Sequence, residues 1–241
     1  MAETKYQHVL LKISGEGLCR EGAGGIDGAE LLRLAEEIKL VVALGVRVSV
    51  VVGGGNLVRG AVISKDSPIE ETTGHYMGML ATIINALAVQ DTLESIGVPT
   101  RVQSAIPVAS VCEPFIRRRA LRHLDHKRVV IFAAGTGNPF VTTDTGAALR
   151  ASEVRAEVLL KATKVDGVYT SDPMTDPSAT RIDRLTYNEV IDKRLQVMDV
   201  SAIDLCQRSR IPIIVLNLKK PGSMRAVVTG EPVGTLIDQG E

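Results

Sequence analysis

The chain has 241 residues, 45% of them hydrophobic, and a formal net charge of +0. That length and apolar content allow one large α/β domain or two closely joined lobes, and exclude global disorder. Balanced charge removes the strongest hint of nucleic-acid or acidic-membrane binding, and the longest apolar runs, such as 48–52, are far too short to span a bilayer.

At the N-terminus, MAETKYQHVLLKIS has no basic segment ahead of its apolar stretch, and Lys12 breaks that stretch. It reads as a first strand over 8–13 rather than a secretion signal. SGEG follows. Asp27 is placed to cap a helix over 28–44, with Leu31, Leu34, Ile38 and Val41 at helical spacing and Gly45 at its end. Residues 46–52 are continuous in apolar or small side chains, as a buried parallel strand requires. A polar loop comes next, then a long helix over 72–96 that stops at Gly97-Val98-Pro99. A short strand near 100–105 precedes an arginine-rich helix at 114–125. Residues 129–133 form a strand ending in GTGNPFVTTD, and a helix over 144–153 leads to a strand at 157–162. After a loop rich in Asp and Pro come helices at 187–192 and 199–209, a strand at 213–217, a short helix and a final strand near 235–237. This alternation predicts an α/β fold: a mostly parallel central sheet with helices on both faces. Cys19, Cys112 and Cys206 are odd in number and form no CxxC, which suits a reducing cytoplasm and argues against a disulfide or zinc scaffold.

In such sheets ligands lie beyond the carboxyl ends of the strands. The strand at 8–13 ends in Lys12-Ile13-Ser14-Gly15 and the next in Gly53-Gly54-Gly55-Asn56. The strand at 129–133 ends in Gly135-Thr136-Gly137-Asn138, and that at 157–162 runs through Lys161-Ala162-Thr163-Lys164 to Val165-Asp166-Gly167. Glycines let backbone N–H groups approach an anion, a following helix N-terminus favours negative charge, and lysines supply mobile full charges. Any one of these loops reads equally well as a plain turn. Four on one predicted edge, two with lysine, point to phosphate handling. The familiar phosphate and hydrolase motifs are missing: there is no Gly-Lys dipeptide for a Walker A loop, neither GEGLCR nor GTGNPF completes GxGxxG, and no HRD, DFG, HExxH or GxSxG occurs. His123 and His126 lie in a basic helix read as surface, and no metal site is expected there.

Taken in order, LLKISGEGL, VVVGGGNLVRG, MGMLATIINALA, AGTGNPFVTTDTGAALRASE and LLKATKVDGVYTSDP resemble the bacterial uridylate kinases of the amino-acid-kinase superfold. The resemblance covers essentially the whole chain, from Leu10 to the GTLI at 234–237. GGGN alone indicates only the superfold; TGNPFVTTD with KATKVDGVY points to the UMP-using branch. The resemblance implies transfer of the γ-phosphoryl group of ATP to UMP, giving UDP and ADP, in pyrimidine nucleotide biosynthesis. It implies an acceptor-binding part over 1–156 and an ATP-binding part over 157–241, together one compact domain. Lys12, Asp144 and Lys161 would be catalytic: Lys12 bridges the transferring group, Lys161 takes the ADP side, and Asp144 orients the lysines or a Mg²⁺-bound water. UMP would lie on Gly54, His75, Thr136, Gly137, Asn138, Pro139, Phe140, Val141, Thr142 and Thr143. ATP would lie on Lys12, Ile13, Ser14, Gly15, Gly55, Arg59, Thr163, Tyr169 and Asp172. Gly54 and Gly55 would then mark the meeting point of the acceptor and donor phosphates. Mg²⁺ is expected with ATP, and no metal held by the protein alone. Against these roles, Asp144 has the alternative of a helix cap and Tyr169 that of a core aromatic, while Asp199 reads equally as an organising residue or a helix cap.

One position departs from the pattern. The family commonly has an aspartate, which contacts the UMP ribose, where His75 stands. A neutral imidazole offers one donor and one acceptor, so the preference for UMP over dUMP stays open. The resemblance further implies a cytoplasmic homohexamer, activated by GTP and inhibited by UTP, with no nucleic-acid or membrane partner. An inter-subunit GTP site would use Arg101 and Arg128, with the loop from Arg20 to Gly25 nearby. Two alternatives stand beside this reading: another small-molecule kinase of the same superfold, and a non-catalytic nucleotide- or oxyanion-binding sensor or storage protein.

Overall fold

Residues 8–13, apolar apart from His8 and Lys12, form a strand buried from end to end. The computed structural model describes residues 3–176 and 178–240. In chain order the elements are β1 (His8–Ile13), a 3-10 turn at Gly15–Leu18, α1 (Gly28–Ala43), β2 (Arg47–Val52), α2 (Gly60–Asp66) and α3 (Glu71–Ser95). Then come β3 (Thr100–Ser104), β4 (Glu113–Pro114), α4 (Arg117–Asp125), β5 (Val129–Ala133), α5 (Thr143–Val154) and β6 (Val158–Thr163). The last third holds β7 (Val168–Tyr169), β8 (Arg181–Ile182), β9 (Arg184–Thr186), α6 (Tyr187–Asp192), α7 (Val200–Ser209), β10 (Ile213–Asn217), α8 (Ser223–Val228) and β11 (Thr235–Asp238).

Among the described residues, nine strands make one sheet in the order β4-β3-β5-β2-β1-β6-β10-β11-β9, and β7 and β8 pair as a separate ribbon. Every neighbouring pair in the sheet is parallel except β10 and β11. The predicted mostly parallel sheet is therefore present. β1 lies at its middle. The chain steps from β1 to β2 on one side and later crosses from β5 to β6 on the other, so the strand order reverses at β1. Ligands of open α/β sheets settle beyond the carboxyl ends at such a reversal.

Helices cover both faces. α1, α3 and α8 build one core layer, and α4, α5, α6 and α7 the other. The two-residue period of a strand sorts side chains between them. Val9, Leu11 and Ile13 of β1, with Leu160 of β6, enter the first layer; Leu10 and Leu159 enter the second. Lys12 shares the parity of Leu10, and Lys161 that of Leu159. Both lysines thus face α5.

Several elements differ from the sequence expectation. The polar loop after β2 contains α2, which crosses α3 so closely that a Cβ on Gly60 would lie 2.0 Å from the carbonyl oxygen of Gly74. A seven-residue helix is too short for an apolar period to register; the crossing glycines make it possible. The arginine-rich helix starts at Arg117, because Glu113–Pro114 pairs with β3 as an edge strand, where proline is tolerated. His123 is not on a solvated face. It is buried, with Nε2 at 3.1 Å from Glu113 Oε2 and Nδ1 at 3.0 Å from the Arg128 guanidinium. Arginine only donates, so Nδ1 is the acceptor and Nε2–H faces Glu113.

Candidate active site

Lys12 and Lys161 are register partners on β1 and β6. Asp144, in the first turn of α5, reaches between them. Lys12 Nζ lies 2.6 Å from Oδ1, and Lys161 Nζ donates to Oδ2 at 2.6 Å. The contact to Oδ1 is an ion pair without hydrogen-bond geometry. All three side chains are largely buried. Burial, then the Lys12 ammonium, pushes the Lys161 pKa down to about 8 against the pull of Asp144. Two ammonium groups share one carboxylate, so the cluster carries excess positive charge. That suits a site that receives phosphate. Asp144 is not the cap of its helix: Thr142 is, its hydroxyl accepting from the Thr145 amide at 3.1 Å.

The glycine loop after β2 is built by backbone contact. The Gly53 amide donates to the Ile13 carbonyl at 2.8 Å. A Cβ on Gly15 would lie 2.2 Å from Asn56 Oδ1 and 2.8 Å from the amide nitrogens of Gly55 and Asn56, and one on Gly54 would lie 2.6 Å from the Gly78 carbonyl oxygen. The loops after β1 and β2 therefore stack directly, with α3 beneath. Two buried amides lock them. Asn85 Nδ2 donates to the Gly53 carbonyl and to Asn56 Oδ1, each at 2.7 Å, while Asn56 Nδ2 reaches Asn85 Oδ1 at 3.1 Å and the Gly25 carbonyl at 2.7 Å.

Two clefts open on either side of this loop. One, of about 330 Å³, is walled by Gly54, Gly55, His75, Thr136, Asn138, Phe140, Val141, Thr142 and Thr143. His75 meets Phe140 with ring centroids 4.8 Å apart, and its Nε2 lies 3.7 Å from Glu71. The other cleft, of about 450 Å³, is walled by Ile13, Ser14, Glu16, Gly55, Arg59, Thr163, Lys164 and Lys219, among others. Gly55 belongs to both.

Most residues singled out in the sequence thus gather at one edge of the sheet. Gly137 and Pro139 belong to the acceptor-side loop but not to the cleft wall. Tyr169 and Asp172 stand apart from the larger cleft: the Tyr169 hydroxyl donates to Asp166 at 2.5 Å, and Asp172 caps a turn by accepting from the Met174 amide at 2.9 Å. Asp199 has two roles. It caps α7 through the Ala202 amide at 2.9 Å and ties that helix to α5 through the hydroxyls of Thr142 and Thr145. Burial pushes its carboxyl up, but these bonds outweigh it and hold the group below the usual carboxylate range. Arg101 and Arg128 lie at the amino ends of β3 and β5, whereas Arg20 and Gly25 follow β1 at the carboxyl edge. One chain does not bring the four together, and a shared site would need more than one copy.

Sequence reasoning missed Glu16 and Asn85. Glu16 pairs with Arg59 and lies 3.1 Å from Lys164, bridging the mouth of the larger cleft. Asn85 carried a signal, a lone amide inside the apolar run ATIINALA.

Fold and site together define a phosphoryl-transfer class, and the relatives agree. Residues 7–217 match the amino acid kinase family, and the chain belongs to that family. Within it, the chain is 53% identical over 233 residues to the chloroplastic uridylate kinase PUMPKIN of Arabidopsis thaliana, covering 97% of this chain and 69% of that protein. The structure superposes on the UMP kinase of Bacillus anthracis with a TM-score of 0.94 at 41% identity, covering 98% of this chain and 97% of the other. The UMP kinase of Ureaplasma parvum gives 0.90 at 34% identity, over 98% of this chain and 100% of the other.

Proposed function

We infer that this protein transfers the γ-phosphoryl group of ATP to UMP, giving UDP and ADP. The observation that carries it is the Lys12–Asp144–Lys161 cluster, set at the end of β1 beside Ile13 and Ala162 of the larger cleft and Thr143 of the smaller, two clefts that share Gly55. The smaller cleft takes UMP, with His75 on the ribose side. The larger takes ATP, its phosphates directed to Ser14, Gly15, Gly55 and Arg59. Residues 1–156 supply the acceptor side and most of the wall of the larger cleft, and 157–241 add Thr163, Lys164 and Lys219 to that wall, the two parts joined through one continuous sheet.

A phosphate oxygen of UMP attacks the γ-phosphorus in line, and the bond to the bridging oxygen of ADP breaks. Charge spreads over the equatorial oxygens. Lys12 faces that group, Lys161 the departing ADP, and Asp144 keeps the two ammonium groups oriented without repelling each other apart. Loop amides add fixed positive ends that need no reorganisation. Mg²⁺ comes with ATP and, when bound, offsets charge on the β- and γ-phosphates. Among the described residues no three His, Cys, Asp or Glu side chains converge on a metal position, and both oxygens of Asp144 are against lysines. A carboxylate already paired with two lysines would meet an ion that arrives with ATP through water rather than directly.

Assembly as a homohexamer is supported by α3. Tyr76, Leu80 and Ile84 lie one above another on this helix and are exposed, while its opposite side is buried in the first core layer. A helix apolar all round is normally covered all round. GTP and UTP as effectors would draw on Arg101 and Arg128; Arg101 lines a groove of about 410 Å³ along β3 and β4, and Arg128 lies outside it. A cytoplasmic location fits the three free thiols, of which Cys206 is pushed up to about 12 by burial. No helix among the described residues is long and apolar enough to cross a membrane.

The test is ADP release with Mg²⁺-ATP and a panel of UMP, dUMP, CMP, AMP, GMP, carbamate and acetylglutamate. UMP is expected to lead by a wide margin. Preferred turnover of a carboxylate or carbamate, or nucleotide binding without turnover, would displace the reading. His75→Ala should narrow the difference between UMP and dUMP.

A further inference from the structure

Arg150, on α5, is 5% exposed, yet its charge takes no part in the lysine cluster. Nη1 donates to Glu153 Oε2 at 2.5 Å, Nη2 donates to the Gly135 carbonyl at 3.1 Å, and the guanidinium carbon lies 3.7 Å from the centroid of the Phe115 ring. Phe115 in turn meets Phe132 of β5 edge-on, with centroids 5.5 Å apart. A buried guanidinium is a poor choice for stability alone, since an apolar side chain of similar volume often serves as well or better.

What Arg150 holds accounts for it. Ala134 and Gly135 leave β5 with φ of 60° and 55°, the left-handed region that costs an alanine free energy. Such a turn persists only when its neighbours over-determine it. The Ala134 amide donates to Thr82 Oγ1 at 2.7 Å, its carbonyl accepts from the Gly137 amide at 2.8 Å, and the Gly135 carbonyl accepts from Arg150. A Cβ on Gly146 would lie 3.3 Å from Gly135 Cα, so α5 packs directly on the turn. The loop that starts here brings Thr136, Asn138 and Phe140 to the acceptor cleft and runs into α5 at Thr143. One helix thus grips both ends of the loop, through its first turn and through Arg150.

We propose that Arg150 is a positioning residue for the acceptor nucleotide: its fork, clamped on Glu153 and covered by Phe115, sets the turn at Gly135 and with it the loop 135–143 against the lysine cluster. The proposal rests on the acceptor reading of that cleft. Lysine offers one compact ammonium in place of the fork and cannot serve Glu153 and Gly135 in the same geometry.

Steady-state kinetics with UMP and Mg²⁺-ATP on wild type, Arg150→Lys, Arg150→Met and Phe115→Leu test it, paired with amide hydrogen exchange on the same proteins. In both Arg150 variants KM for UMP should rise about tenfold while KM for ATP stays within about twofold. Phe115→Leu should show the same split at smaller size. Exchange should quicken over 134–138 and not over 163–169. A variant that melts like wild type yet shifts both KM values together, or shifts neither and leaves exchange unchanged, overturns the proposal. If Arg150→Met does not fold, Arg150→Lys decides. Wild-type turnover with UMP is measured first: its absence defeats the acceptor reading, while exchange still reports whether Arg150 holds the turn.

Discussion

Lys12 and Lys161 stand opposite each other on adjacent parallel strands, with a single carboxylate, Asp144, between their ammonium groups. Neither lysine would be so placed for stability alone. Two like charges in a buried setting repel, and only the shared carboxylate and an incoming anion offset that. Lys12→Ala should therefore lower kcat by on the order of 10²-fold or more, the loss seen when one preorganised electrostatic donor is removed. A drop below about threefold in a folded variant would remove Lys12 from the chemistry.

The same cluster predicts a pH dependence. Lys161, lowered to about 8, is charged below that pH and loses its proton above it. In the free enzyme kcat/KM for ATP should fall as pH rises through about 8. Bound polyphosphate favours the charged lysine, so the corresponding limb on kcat should lie at higher pH. A profile of kcat/KM that stays flat across this range would exclude the assignment.

Gly15→Ala tests the stacked loops. The new Cβ meets Asn56 Oδ1, which is held in the amide lock with Asn85, and also the backbone nitrogens of Gly55 and Asn56, so the loop itself must move. A loss of about 1–3 kcal/mol in stability is expected from such overpacking, together with a raised KM for ATP. Thermal melting at wild-type temperature with unchanged kinetics would show that the loops give way freely.

His8 predicts acid sensitivity unrelated to catalysis. It is fully buried, its Nε2 lies 3.1 Å from Ser49 Oγ, and burial, then the Arg47 charge, lowers its pKa from 6.5 to about 4. Between those values the unfolded chain binds a proton that the folded chain refuses. Stability is therefore fully present above about pH 6.5 and declines as pH falls to about 4, by on the order of 3 kcal/mol. Denaturant unfolding across this range should be visibly less pH-dependent in His8→Asn; an equally steep wild-type-like decline in that variant would acquit His8.

The α3 stripe predicts association. Leu80→Glu combined with Ile84→Glu places two charges on the exposed apolar face without touching the core side of the helix. Light scattering should report a smaller particle than wild type. Identical masses for both proteins would mean that this face is not an interface.

Fold class and most elements were legible because their signals are local. The apolar period of α1, the Asp27 cap and the continuous hydrophobic strands at 8–13, 46–52 and 129–133 each read correctly to within a few residues. So did the phosphate edge, since glycine, lysine and threonine at strand ends carry their chemistry in their types. α2 was lost because its seven residues hold no period, and β7, β8 and β9 because strands of two or three residues are defined by their partners alone. His123 was misread for a related reason: in a run of arginines nothing local distinguishes the side chain that turns inward to Glu113 and Arg128.

The amino-acid order thus settled the alternation of strands and helices, the glycine loops and the residue types at the carboxyl edge, all consequences of propensity and pattern along a short window. Only the folded chain decided that Asp144 would lie between Lys12 and Lys161, that Asn85 would lock Gly53, and that Glu16 would bridge Arg59 and Lys164. These partners are separated by tens to more than a hundred positions in the chain. They meet because strand parity sends both lysines to the face of α5, because the strand order reverses at β1, and because bare backbone at Gly15 and Gly54 lets two loops and a helix close to within contact distance.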